Sequence, residues 1–396
     1  MADNAAKTID VVAAPPADSP AAPPQAEQET APPSDAQSPT DTLPPGITAD
    51  EIALYDRQIR LWGILAQEKL RTSSILLITI KALGNEIAKN LVLAGIGSLT
   101  IIDTTTVTED DLGSQFLISQ ENVGQNRADA AAANLRKLNP RVPVTTLAVD
   151  PLAVDLSIFS MIIATDLSIT LLNPLNAKAH FGNKPFYAAG SHGFYGFVFA
   201  DLGTHTYTIT RPSLNNHPTL LGPESATRTV IATSRSPRDA AGNTTETVTK
   251  REAYQPLILA NTSPLPLDIS ANRRRLRNVS PLLPCLRALW EFETESNGLP
   301  PAHNAADLQR FTHLATDKSR DLQLPPELLQ ASFLRSFLQN LYCEISPVTA
   351  FLGGAVAQDV INAIGGREQP IQNMLLFDGE ASKADVLALV PVVPAA

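Results

Sequence analysis

The residues with the clearest chemical potential lie at a strand–helix junction, ITIKALGNEIAKN (78–90). A phosphate-binding turn of the Rossmann type uses three glycines: for the tight turn, for close backbone approach to phosphate, and for helix–strand packing. In that register this chain has Thr79, Ala82 and Gly84, so only the packing glycine remains. Asp103 stands at the end of the next apolar run, where a ribose-binding acid belongs. The frame of a nucleotide site is present and its phosphate surface is filled with side chains. On the loop alone, this is a degenerate βαβ unit without a ligand. A nicotinamide-dependent oxidoreductase would suit Asp103, but the filled loop and the lack of a catalytic dyad count against it. Of the two cysteines, Cys285 lies in PLLPCLRALW and Cys343 in QNLYCEISP. Both surroundings read as apolar and helical, so both thiols are expected in the core. The histidines, His192 in GSHGFYGF among them, show no metal-ligand spacing and no paired nucleophile, so no metal site is expected. The basic run ANRRRLRN (271–278) is read as solvated surface, with an import signal as the alternative.

The elements that must position these residues follow from periodicity. TADEIALYDRQIRLWG opens with a capping box, Thr48 and Glu51, and repeats Ile52, Tyr55, Ile59 and Trp62 at helical spacing. SILLITI (74–80) is a wholly apolar strand, NEIAKNLVLAG (85–95) a helix and SLTIID (98–103) a second strand. RADAAAANLRKLNP (127–140) is helical, and VPVTTLAV, FSMIIAT and KPFYAAG are short strands. Apolar strands alternating with helices imply a parallel sheet covered on both faces, a doubly wound α/β Rossmann-like core. Five segments are expected: a Pro/Ala-rich disordered tail (1–46), the Rossmann-like domain (47–210), a polar flexible insertion (211–252), a helical subdomain (253–340) and a return to the α/β fold (341–396).

Composition narrows the classes further. Hydrophobic residues make up 44% of 396, which is ordinary for a globular protein. No apolar run is expected to span a membrane, and the start of the chain lacks a basic region followed by an apolar one. Two distant cysteines argue against a disulfide framework or a structural zinc. The net charge of -10 argues against general nucleic-acid binding. Residues 1–46 hold ten prolines and no aromatic residue, too little apolar surface to offset ordering entropy.

Several longer motifs are collinear with one family. YDRQIRLWG (55–63), LGNEIAKNLVLAGIGSLTIID (83–103), GSQFLI (113–118), VGQNRADAA (123–131) and SPVTAFLGGAVAQDVINAI (346–364) resemble the activating enzymes of ubiquitin-like modifiers. The resemblance covers most of residues 50–210 and 340–380, and is closest to the smaller, Aos-type subunits of SUMO-activating enzymes. It implies a ThiF/MoeB-type adenylation fold working as one half of a pseudo-twofold heterodimer.

Against the pattern of the active half, this chain departs residue by residue. The Asn-Arg pair that touches ATP is replaced by Gly113 and Ser114, and the downstream lysine by Arg127. Asp166 matches the family's magnesium-binding aspartate, but the arginine five residues later is Leu171. The resemblance therefore implies an inactive half, with ATP and Mg2+ held by a Uba-type partner that also carries the thioester cysteine. The ubiquitin-fold domain that receives the conjugating enzyme is expected on the partner too. The implied contribution of this chain is Arg57, from the Y-x-R-Q motif, delivered to the partner's ATP site as an arginine finger. Arg57 lies off the apolar stripe, so the core does not claim it; the alternative is a surface arginine or a local salt bridge. Arg60, one turn on, is the weaker candidate. The resulting expectation is a non-thioester subunit supporting sumoylation in the nucleus. The alternatives are the corresponding Nedd-type subunit, a self-sufficient MoeB/ThiF-like enzyme, or a binding scaffold.

Overall fold

The computed structural model describes residues 47–213, 219–238 and 244–391. The tail expected over 1–46 lies outside them. The chain opens with two helices, α1 (Ala49–Trp62) and α2 (Ile64–Arg71), and the capping box forms: Glu51 N–H donates to Thr48 Oγ1 at 3.2 Å. Then β1 (Ser74–Ile78), α3 (Ala82–Ala94), β2 (Ser98–Ile102), α4 (Arg127–Leu138), β3 (Val144–Leu147), β4 (Met161–Thr165), α5 (Ile169–Phe181) and β5 (Phe186–His192) alternate as the apolar runs require. β6 (Tyr195–Asp201) turns back antiparallel to β5.

A second group of strands follows: β7 (Thr204–Pro212), β8 (Gly222–Pro223), β9 (Arg228–Arg235) and β10 (Thr245–Ala253). Short helices α6 (Leu257–Thr262), α7 (Leu267–Ser270) and α8 (Arg273–Leu276) lead to α9 (Leu282–Glu295), α10 (Ala305–Asp321) and α11 (Ala331–Gln339). The chain then returns through α12 (Ser346–Gly365), β11 (Met374–Asp378) and β12 (Lys383–Leu387).

The main sheet runs β12-β11-β6-β5-β4-β1-β2-β3, with β3, β2, β1, β4 and β5 parallel and the remaining three antiparallel. Successive residues of a strand face opposite sides, and the core divides accordingly. Leu76, Ile78, Ile162 and Ala164 face α5, α9, α10 and α11, whereas Ile75, Leu77, Ile101 and Ile163 face α3, α4 and α12. Residues of the expected helical subdomain, such as Leu286, Trp290 and Phe311, thus share one core with the sheet. Strand order reverses between β1 and β4, so the carboxyl ends of these two strands form the crevice where doubly wound sheets bind ligands.

Three expectations need correction. First, 211–252 is no unstructured insertion, because its described part belongs to a four-stranded antiparallel sheet ordered β7-β10-β9-β8. Its composition misleads because the inner face is filled by paired charges. Glu246 accepts from Thr219 N–H (2.8 Å) and Arg211, Glu252 pairs with Arg228 (2.6 Å), and Lys250 pairs with Glu224 (2.7 Å). Burial alternates along β10 as in any half-covered strand.

Second, α3 begins at Ala82 rather than Asn85. A Cβ on Gly84 would stand 2.7 Å from Thr79 O, so its absence lets the first turn close down on the loop. Third, among the described residues α12 is long and apolar enough to cross a membrane. It lies in the core against α3, and its Asp359 is buried, bonded to Tyr187 Oη at 2.7 Å and to Ile371 N–H. α12 is therefore a core helix.

Candidate functional site

The crevice at the ends of β1 and β4 is built on backbone shaped for a nucleotide loop. Thr79 sits at φ 69° and Asp166 at φ 50°, left-handed conformations that glycine adopts freely and a β-branched residue adopts at a cost. The turn thus adopts a glycine-like shape with a threonine in place. α3 then starts directly over it, with the free N–H groups of its first turn directed at the position a phosphate would take.

That position is filled from within the chain. Glu344 lies in the turn between α11 and α12, and its Oε1 accepts from Ala82 N–H at 3.2 Å. Its Oε2 accepts from Ser114 Oγ at 2.7 Å and from Gln115 Nε2 at 3.4 Å. A carboxylate at a helix N-terminus satisfies an orphan donor and is favoured by the helix dipole, as a phosphate would be. Ser114, which stands where the Asn-Arg pair was expected to be replaced, and Gln115 beside it hold this plug. Gly113 is exposed at the end of a 3-10 turn and Phe116 is half exposed, 5.2 Å from Lys89 Nζ.

The remaining polar groups of the crevice pair with each other. Asp103 accepts from Ile80 N–H at 3.0 Å and Thr105 N–H at 2.9 Å, and Arg127 spans Asp103 (3.3 Å) and Asp111 (3.2 Å). Asp111 also accepts from Gln115 Nε2 at 2.7 Å and from Thr108 N–H, and the Thr108 donors with Arg127 hold its carboxyl below the usual range despite burial. Asp103 and Arg127 are 4% and 5% exposed, so neither is free to meet a ribose or a phosphate.

Asp166 accepts from Ser191 N–H at 3.0 Å, while its Oδ2 has no partner among the described residues. Burial first, and the charge of Glu344 second, push it up to about 7. Leu171, in place of an arginine, packs against the core. Asp103, Asp111 and Glu344 thus confront two cations, Arg127 and Lys81, before Asp166 is counted. A polyphosphate entering would meet excess negative charge. The residues present do not fit ATP and Mg2+, and no adenylation step is assigned to this crevice.

Sequence reasoning missed Glu344. The available signal was a lone acid in YCEISP just before α12, too common a feature to single out. One reading of the cysteines also changes. Cys285 is buried, and burial pushes its thiol well above the usual range. Cys343, expected in the core, is exposed, because it lies beyond the end of α11 in the turn to α12. Its carbonyl accepts from Gly193 N–H, its sulfur lies 3.9 Å from Gln339 O, and the next residue is Glu344. His192 is buried, accepts from Tyr342 N–H at Nδ1, and is held down to about 4 by burial.

Arg57 lies elsewhere. Tyr55, the buried residue of α1, packs on Gly95 just past the C-terminal end of α3, and its hydroxyl accepts from Asn139 Nδ2 at 2.9 Å. Gln58 donates to Leu93 O at 3.3 Å. Because α3 is 13 residues long, α1 is anchored roughly 20 Å from the closed crevice. Arg57, about 200° round the helix from Tyr55, is exposed and has no hydrogen bond or ion pair among the described residues. Arg60 is engaged with Asp56 at 2.9 Å. The local salt bridge weighed for Arg57 is made by Arg60 instead. Three exposed leucines, Leu54, Leu61 and Leu65, lie on α1 and α2 around Arg57.

The ThiF family model matches residues 55–390. The chain is 36% identical over 339 residues to DNA damage tolerance protein RHC31 of Saccharomyces cerevisiae, covering 84% of this chain and 95% of that protein. It is 33% identical over 356 residues to SUMO-activating enzyme subunit 1 of Homo sapiens (87% and 97%), and 32% identical over 346 residues to the protein of that name in Xenopus laevis (86% and 96%). Among solved structures it resembles PaaA, with a TM-score of 0.50 at 14% identity over 88% of this chain and 78% of that one, a likeness of fold alone.

Proposed function

The chain belongs to the ThiF family, and from that premise we propose that it is subunit 1, the non-thioester half, of a heterodimeric SUMO-activating enzyme. As such it is a subunit of an ATP-dependent modifier-activating enzyme. It supports adenylation of the SUMO C-terminus in the active site of a Uba-type partner, which then takes the modifier onto its own cysteine. The observation that carries the division of labour is Glu344 seated on the N-terminus of α3, where a phosphate would otherwise bind.

On this reading ATP and Mg2+ are held by the partner, and the complex acts in the nucleus. Adenylation of a carboxylate expels pyrophosphate, and negative charge grows on the leaving phosphates. An unpaired guanidinium brought across a subunit interface can meet that charge with two parallel hydrogen bonds. Arg57 supports this role because it is exposed, uncommitted and remote from the chain's own crevice.

SUMO-dependent ATP–pyrophosphate exchange tests the proposal. The isolated chain is expected to show none, and exchange is expected to appear when the cysteine-bearing partner is added. Exchange catalysed by the chain alone would refute the assignment of the chemistry to the partner.

A further inference from the structure

The main sheet ends at β12, which pairs with β11 alone among the described residues, in register from Met374↔Leu387 to Asp378↔Lys383. Its other row of backbone N–H and C=O groups is left without a neighbouring strand, the arrangement that templates pairing with another chain. Edge strands are commonly blunted by proline or by an outward lysine. Here the strand reads KADVL, without proline, and Lys383 is tied to Asn278 O (2.7 Å) and to Asp385 (2.6 Å).

A groove of about 650 Å³ lies between this strand and the segment of α7 and α8. Its lining includes Ile269, Arg275 and Asn278 on one side and Asp385, Val386 and Leu387 on the other. Successive residues of a strand point to opposite faces. A groove touched by three consecutive residues of β12 therefore runs along its edge, not over one face.

The two faces of that edge differ in chemistry. Lys383, Asp385 and Leu387 lie on the side of α7 and α8, because Leu387 belongs to the core cluster on which Ile269 and Leu276 pack. There Arg273, Arg274 and Arg277 are exposed, and their guanidinium groups have no hydrogen bond or ion pair among the described residues. The neighbouring acids are already engaged, Asp268 with Arg275 (2.6 Å) and Asp385 with Lys383. The three free arginines fall within about 6 Å of helix rise, inside a Debye length of about 8 Å, and so act together as a positive rim. The opposite face presents Ala384 and Val386, both exposed and apolar.

A strand added to β12 sets its own side chains alternately on these two faces. Acids on the first meet the arginine rim, and β-branched residues on the second pack beside Val386. A nucleic acid would also meet the arginines, but the net charge of -10 opposes it and the strand edge offers it nothing.

We propose that β12 takes up, by strand addition, an extended segment of a partner protein in which acidic and β-branched residues alternate. The edge lies four strands from β4, roughly 19 Å away from the closed crevice. The inference does not depend on the function proposed above.

The test is fluorescence anisotropy of the full chain with fluorescein-labelled Glu-Val-Glu-Val-Glu-Val amide. An analogue with every internal amide N-methylated, which keeps the side chains and loses the backbone donors, is titrated alongside. Saturable binding of the parent peptide is expected, weakening as salt rises, with the methylated analogue at least about tenfold weaker. The triple variant Arg273→Ser, Arg274→Ser, Arg277→Ser should bind the parent peptide about tenfold more weakly, the sum of three exposed charge contacts. All three side chains are exposed and unpaired, so the variant is expected to fold. Absence of saturable binding, equal affinity for the methylated analogue, or binding unchanged in the triple variant would each overturn the proposal. Displacement of the peptide by an equal concentration of oligothymidylate would overturn it too, making the rim a nucleic-acid contact.

Discussion

Single residues separate a subunit that does chemistry in trans from a passive scaffold. Arg57 is the test. It supports no described contact, so Arg57→Ala should leave folding and heterodimer assembly intact while slowing SUMO adenylation by at least about tenfold, the loss of one bidentate charge contact in a transition state. Gel filtration with the partner and pyrophosphate exchange measure the two effects; an undiminished rate would reduce the chain to a scaffold. Cys343 is the counter-test, since exposure alone does not make a nucleophile. Its sulfur lies against Gln339 O, and the residue after it, Glu344, is engaged at the N-terminus of α3. Cys343→Ala should therefore form thioester in the complex at the wild-type rate, read on non-reducing gels. A lost thioester would mean that the cysteine chemistry had been placed on the wrong chain.

At the scale of elements, the junction between β1 and α3 shows how a ligand site becomes a structural joint. The backbone still turns through a left-handed residue, and the helix still presents free N–H groups. A residue 262 positions away in the chain now supplies the anion. Glu344 is thereby an external cap for α3 and a clasp between that helix and the turn before α12. Glu344→Ala should destabilise the chain by about 1 kcal/mol, the usual value of a lost N-terminal capping partner, seen as a lower urea midpoint with an unchanged slope. Exchange activity of the assembled complex should persist, because this crevice takes no part in the reaction. A variant of unchanged stability would show that the carboxylate does not hold the helix end. The small sheet makes a related point. Its alternation of threonine and charged residues is a strand pattern whose inner face is satisfied by ion pairs, so a polar composition here does not mean lack of structure.

For the whole molecule, the buried acids set the response to pH. Burial pushes Asp166 and Glu293 up to about 7 and Asp359 to about 6. Each binds its proton more tightly folded than unfolded, so each favours the folded state below its folded pKa and loses that advantage as pH rises through it. Buried His192, held down to about 4, works the other way: the unfolded chain takes up its proton first as pH falls below about 6.5. Stability should therefore rise as pH falls from about 8 to about 6.5, where the acids act and the histidine does not. Asp166→Asn should flatten that rise, measured by urea midpoints across the range. A slope identical to wild type would mean that Asp166 is not protonated over this range.

Sequence alone determined the alternation of strand and helix, the capped entry to α1 and the loss of phosphate-binding glycines. These are local properties, written in residue spacing; the family came separately, from the resemblance of the longer collinear motifs. Sequence likewise put Arg57 off the apolar stripe, because a stripe is a matter of angle around one helix. It did not reveal that Asp103 and Arg127 are consumed by each other, that Cys343 is exposed, or that Glu344 fills the phosphate position. Those facts depend on which distant segments meet once both faces of the sheet are covered. A carboxylate finds a helix N-terminus only when the packing of α11 and α12 carries it there, and no local pattern encodes that meeting.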